Sequence, residues 1–129
     1  MAALKPAEVH ESFAQAFFAH DVDGLMTLYA EDAVMIPAPA QGPVTGHAAI
    51  RGAISELLAL NPRNGKIETT LCLEKDGYAL LRSQWHFDAT SPEGEPMQLF
   101  GRGLEVVTRQ GDGRWVQVFD NPWGGGESD

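Results

Sequence analysis

Cysteine is almost missing from this chain: Cys72 is the only one in 129 residues. That excludes an intramolecular disulfide and a thiolate metal cluster. Positive charge is also scarce, with nine Lys and Arg against eighteen Asp and Glu and a formal net charge of −9. The few cations are scattered, so the surface repels phosphate backbones and anionic lipid; no nucleic acid and no membrane is expected as a partner. No apolar run approaches a membrane span, and Met1-Ala2-Ala3-Leu4-Lys5-Pro6 holds no apolar stretch of signal-peptide length, which points to a cytoplasmic location. The four histidines show neither HxH nor HExxH spacing, so no metal site is expected. A P-loop, a GxGxxG and a GxSxG are likewise missing, and no cofactor is predicted.

What is present is the composition of one folded domain, 43% hydrophobic and too short for two cores. The domain is expected over residues 1–123, with the Gly-rich run 124–129 as a flexible, solvated end. After Pro6, Val9, Phe13 and Phe17 recur at four-residue spacing and predict a helix with an aromatic stripe. Asp21 is placed to cap a second helix whose buried face is Val22, Leu25, Met26, Leu28 and Tyr29. A short strand follows at 33–36. The stretch 37–46, with Pro37, Pro39, Gly42, Pro43 and Gly46, must be a loop. A third helix carries Ile50, Ile54, Leu57 and Leu58 on one side and ends at Asn61-Pro62.

The period then changes from helical to alternating. Ile67, Thr69, Leu71 and Leu73 alternate with polar neighbours, and Asp76-Gly77 signals a hairpin. Along 78–88, Leu81, Ser83, Trp85 and Phe87 share one face, and Arg82, Gln84, His86 and Asp88 the other. Turns at 91–94 and 110–113 lead into further strands at 97–109 and 115–121. The fold class is therefore α+β: three N-terminal helices covering one face of an antiparallel sheet. The polar mixture on the other face suggests that it is covered, as by a second copy of the chain.

Three segments resemble one family. His20-Asp21-Val22-Asp23-Gly24-Leu25-Met26-Thr27-Leu28-Tyr29-Ala30-Glu31-Asp32-Ala33-Val34 is similar to the opening of the nuclear transport factor 2-like superfamily. Thr45-Gly46-His47-Ala48-Ala49-Ile50-Arg51 resembles the start of its third helix, and Asp112-Gly113-Arg114-Trp115 the turn into its last strand. Within the superfamily the chain looks most like the SnoaL-like and SgcJ/EcaC-type homologues of ketosteroid isomerase. The resemblance implies a cystatin-like cone, a curved sheet of four to six strands closed by the helices around a pocket, commonly in a homodimer. It does not fix an activity, because one fold hosts many.

Set against the isomerase, the position of the catalytic base falls on Pro37, which cannot carry a proton, and that of the helix-one tyrosine on Phe13, which has no hydroxyl. The third position falls near Gly103 or Glu105. Steroid isomerisation by that residue set is not expected. Tyr29 matches a tyrosine lining the isomerase pocket; it either supplies a polar group there or packs against Phe13 and Phe17 with its hydroxyl satisfied. By the same alignment Glu105 and Asp120 lie on the concave face of neighbouring strands, where burial would raise a carboxyl pKa and suit it to acid–base work. The alternation Trp115, Gln117, Phe119 leaves the opposite orientation open. Arg102 could clamp a ligand anion or pair with Asp88 or Glu68.

The expected pocket wall is Phe13, Phe17, Met35, Ile50, Ile54, Trp85, Phe87, Gly103, Val118 and Phe119. His10, His20 and His47 are expected near helix ends or on exposed faces, His86 on the outer sheet face, and Cys72 as an inert packed thiol. Two functions follow. One is a pocket protein binding a small, mostly apolar organic molecule, with Tyr29, Glu105 and Asp120 as polar participants in cofactor-free isomerase, cyclase or hydrolase chemistry. The other is a non-catalytic homodimer that binds a ligand or serves as a scaffold, with both carboxylates facing water.

Overall fold

The computed structural model describes residues 2–126. Helix α1 (Glu8–Phe18) buries Val9, His10, Ser12 and Phe17. Helix α2 (Val22–Met26) starts at Asp21, whose Oδ1 accepts from the Gly24 amide at 3.0 Å. Glycine suits position 24 because a Cβ there would come 2.3 Å from the capping carboxylate. The helix is shorter than its apolar pattern suggests. The Thr27 hydroxyl donates to the Gly24 carbonyl at 2.6 Å, and the Gln117 amide donates to the Leu28 carbonyl at 2.8 Å. Strand pairing thus takes over from the helix, and Tyr29 opens strand β1 (Tyr29–Met35) instead of closing α2.

Strand β2 (Val44–Thr45) and helix α3 (His47–Leu58) follow the Pro-rich loop. Four long strands complete the chain: β3 (Arg63–Lys75), β4 (Tyr78–Thr90), β5 (Pro96–Arg109) and β6 (Trp115–Asn121). Asp76 and Gly77 both have positive φ, 55° and 80°, as a two-residue turn between right-twisted strands demands. The curved six-stranded sheet runs β2-β1-β6-β5-β4-β3, and the β1–β6 pair alone is parallel. No helix among the described residues is long and apolar enough to cross a membrane.

Two apolar clusters divide the interior. The larger joins Phe17, Leu25, Met26, Met35, Ile50, Ile54, Trp85 and Phe87; the smaller joins Ala3, Val9, Ala79, Leu81, Val107 and Trp115. Strand alternation places a polar layer between them. On β4, Ser83 separates Leu81 from Trp85; on β5, Glu105 precedes Val107; on β6, Gln117 follows Trp115; on α1, His10 follows Val9.

The C-terminal glycines are not all solvated. Gly125 is buried, donates its amide to the Arg102 carbonyl at 2.9 Å, and packs where a Cβ would come 2.4 Å from the Gly103 carbonyl oxygen. Residues 127–129 of the expected flexible end lie outside the described residues. Cys72 is exposed rather than packed, since it alternates outward on β3. Partial desolvation and then Glu74 push its thiol pKa up, which disfavours the nucleophilic thiolate.

Candidate active site

The concave face lines a cavity of about 80 Å³ that is open on one side. Its wall includes Phe13, Phe17, Met35, Pro37, Ile54, Leu57, Ile67, Trp85, Phe87, Leu99, Pro122 and Trp123, and its polar groups are His10, Ser83, Glu105, Gln117 and Asp120. Trp85 stacks on Phe87 at 5.6 Å between centroids and meets Trp123 edge-on at 5.7 Å. Phe13 stacks on Phe17 at 5.6 Å. The Trp85 indole N–H is held by the Pro122 carbonyl at 2.7 Å, which leaves that ring presenting carbon to the cavity.

Tyr29 is wholly buried, and its hydroxyl donates to Asp120 Oδ2 at 2.5 Å. Both side chains reach inward because Tyr29 begins β1 beside Gln117 and Asp120 pairs with Met35 on the same parallel ladder. His47 ties α3 to the start of this strand, with Nε2 2.8 Å from the Tyr29 carbonyl. Burial raises the Asp120 pKa from an ordinary 3.8 to about 7, with Glu105 adding to the rise and the Tyr29 hydrogen bond opposing it. Burial first, and then the neighbouring Asp120, push the Tyr29 phenol well above its usual range. Tyr29 therefore stays a hydroxyl donor, while Asp120 is poised to gain or lose a proton near neutrality.

Glu105 lies directly across the ladder from Asp120. Its Oε1 is 2.5 Å from His10 Nε2, and its Oε2 accepts from the Ser83 hydroxyl at 3.3 Å. The other His10 nitrogen is 2.6 Å from Thr69 Oγ1. This chain of contacts needs Gly103, where a Cβ would stand 2.2 Å from Glu105 Oε2 and 2.3 Å from Ser83 Oγ. Gly101 likewise makes room for Trp85, 2.8 Å from the position a Cβ would take. The inner face of β5 is thus emptied of side chains where the tryptophan and the glutamate must lie.

The structure brings Tyr29, Glu105 and Asp120 together around one buried site, and Phe13, Phe17, Met35, Ile54, Trp85 and Phe87 into its wall. Phe13 and Pro37, the residues standing where the isomerase has its tyrosine and its base, both face the cavity. Ile50 is buried in the core beside the cavity rather than lining it, and Gly103 acts as the gap that Glu105 fills.

Phe119 and Val118 do not line the cavity. The β5–β6 register shifts between Val106 and Val107, so Val106 faces Phe119 and Val107 faces Gln117, with Val118 as the extra residue. The bulge turns Phe119 outward, 52% exposed, and lets both Gln117 and Asp120 point in, which strict alternation forbids. Arg102 pairs with Gln84 on the outward side of the ladder and is absent from the cavity wall, so it cannot clamp a ligand there.

His10 does lie in the first turn of α1, as expected, but it is not exposed: at 4% exposure it sits in the polar layer. It stands three and seven residues before Phe13 and Phe17, spacings that share a helical face, so the signal was in the sequence. Gln117 and Trp123 were missed as wall residues. Among the described residues no group of three or more His, Cys, Asp or Glu is arranged to hold a metal ion.

The family model for the SnoaL-like domain matches residues 9–118. No curated protein is similar enough in sequence to match. Among solved structures, a ketosteroid isomerase-like protein from Erwinia carotovora atroseptica superposes with a TM-score of 0.77 at 15% identity, covering 91% of this chain and 94% of that one. A conserved protein from Planctomyces limnophilus gives 0.75 at 19% identity, covering 88% of each chain. A member of the nuclear transport factor 2-like family from Streptomyces avermitilis gives 0.71 at 13% identity, with 88% of each chain covered. At such identities the likeness is one of fold.

Proposed function

The chain belongs to the SnoaL-like domain family of the nuclear transport factor 2-like superfamily, and from the site this fold encloses we propose that it binds one small, largely apolar organic molecule and moves a proton on it without a cofactor. The observation that carries this reading is the Tyr29–Asp120 hydrogen bond of 2.5 Å at the edge of an aromatic cavity. A carboxyl group whose pKa is near 7 can act as base in one step and acid in the next, with little driving force lost at neutral pH.

The roles divide by contact. Asp120 faces the cavity and is the proton carrier. Tyr29 is a positioning residue, fixing one Asp120 oxygen so that the other is offered to the ligand. Glu105 has each oxygen engaged, by His10 and by Ser83, and acts on Asp120 through its field rather than by touching the ligand. Proton abstraction beside a carbonyl, followed by return of the proton to the same or a conjugated carbon, fits one carboxyl and an apolar wall.

Incubation in D2O with a panel of small ketones and enones tests this by NMR. Deuterium should enter at carbons next to the carbonyl, and Asp120→Asn should abolish it. Exchange that survives Asp120→Asn, or that no compound in the panel shows, would refute the assignment.

Homodimerisation through the outer sheet face is proposed as well, on one specific observation. Leu80, Val106, Phe119 and Val34 are consecutive cross-strand neighbours over β4, β5, β6 and β1, and Phe100 lies further along the same face, 63% exposed. An apolar band of this kind on a sheet surface marks a contact site.

A further inference from the structure

Gln117 has no part in the proton chemistry above, yet among the described residues it is the one buried side chain with a polar atom that has no hydrogen-bond partner. The residue is 3% exposed, lines the cavity, and its Nε2 has no hydrogen-bond partner. Its backbone is fixed by the bond to the Leu28 carbonyl at 2.8 Å and by the ladder to Val107 and Tyr29. A side-chain hydrogen-bonding interaction with Gln117 opposes the rise in the Tyr29 pKa, so the amide lies beside the phenol at the head of the same site, while no acceptor stands within ordinary hydrogen-bond distance of Nε2. Buried donors are nearly always paired, and an unpaired donor on a residue that lines a cavity is where a ligand acceptor fits.

The surroundings narrow what that acceptor belongs to. Among the described residues the cavity wall contains no Lys or Arg, and its two carboxyl groups repel an anion. His10, the remaining basic group, is already engaged by Glu105 and Thr69. The stacked Trp85–Phe87 and Phe13–Phe17 pairs present flat carbon faces. We propose that Gln117 is the specificity-determining anchor of the site, donating through Nε2 to the carbonyl oxygen of a small, neutral, planar ligand. This deepens the proton-transfer reading, since a carbonyl held at Gln117 beside Asp120 exposes its neighbouring C–H to the carboxyl group.

The test uses acetophenone, its hydrocarbon isostere α-methylstyrene, and benzoate, with affinities measured by ligand-observed NMR at pH 8 on the wild-type chain and on Gln117→Met. The ketone-to-hydrocarbon affinity ratio should fall about tenfold in the variant, the loss of one neutral hydrogen bond, while the hydrocarbon binds as well or better. Benzoate should not displace the ketone. An unchanged ratio overturns the anchor while leaving the pocket reading intact, and benzoate binding as tightly as the ketone overturns the neutral class. If neither ring compound binds, the anchor and the ligand-binding reading fall together. Should Gln117→Met fail to fold, a wild-type crystal soaked with 4-bromoacetophenone decides: the carbonyl oxygen must lie within hydrogen-bond reach of Gln117 Nε2, and an oxygen turned elsewhere refutes the proposal.

Discussion

Replacing Asp120 by Asn should change how stability depends on pH, and the size of the change follows from the site. Asp120 is fully enclosed, and its pKa lies at about 7 in the folded chain against an ordinary 3.8. The folded state therefore holds this proton more tightly than the unfolded state does. Its contribution is greatest below the unfolded value of 3.8, falls as pH rises, and levels off above about 7. At about 1.4 kcal/mol per pH unit, the gap is worth about 4 kcal/mol, an upper figure because water entry would relieve part of it. Asn keeps the shape and the acceptor for Tyr29 but carries no proton to lose. Urea unfolding from pH 4 to 8 should show the wild-type chain losing up to about 4 kcal/mol relative to Asp120→Asn across that window. A difference that stays flat, or that grows in favour of the wild type as pH rises, would mean that Asp120 carries no raised pKa in the folded chain.

Tyr29→Phe keeps the ring against Phe13 and removes the hydrogen bond that favours ionised Asp120, so the carboxyl pKa should rise further, by about one unit, in an NMR titration. Gly103→Ala should destabilise the chain by about 1–3 kcal/mol in chemical denaturation, because the new methyl collides with Glu105 and Ser83. His10→Leu leaves a buried Glu105 oxygen without its partner and should cost about 1–3 kcal/mol; His10→Gln, which can still donate, should cost less. Phe119→Asp, on the outer face, should turn a dimer into a monomer in sedimentation equilibrium without altering the Asp120 titration.

Much of the architecture was legible from spacing alone. The alternation of Leu81, Ser83, Trp85 and Phe87 gives the inner face of β4, and Asp76-Gly77 gives its hairpin. The failures have local physical causes. Tyr29 fits the apolar pattern of α2 as well as it fits β1, and only pairing with the distant β6 decides between them. The bulge at Val118 inserts one residue into the period, so no single parity could place Gln117 and Asp120 inside and Phe119 outside. Of the two roles open to Arg102, the outward one follows from alternation on β5, where Gly103 and Glu105 take the inner face. The burial of His10 is legible from its spacing to Phe13 and Phe17, but its partner is not, because Glu105 lies 95 positions along the chain. Chemistry set by long-range pairs is the part that periodicity does not encode.

Asp120 is expected to hold a proton near neutral pH beside Tyr29 in the cavity. A carbon-13 NMR titration of the aspartate side-chain carboxyls, with Asp120→Asn to identify the resonance, measures it directly. The midpoint for that carboxyl should lie at about 7. A midpoint near the ordinary 3.8 would mean that Asp120 is a solvated, ionised group, and the proton-transfer site would not exist.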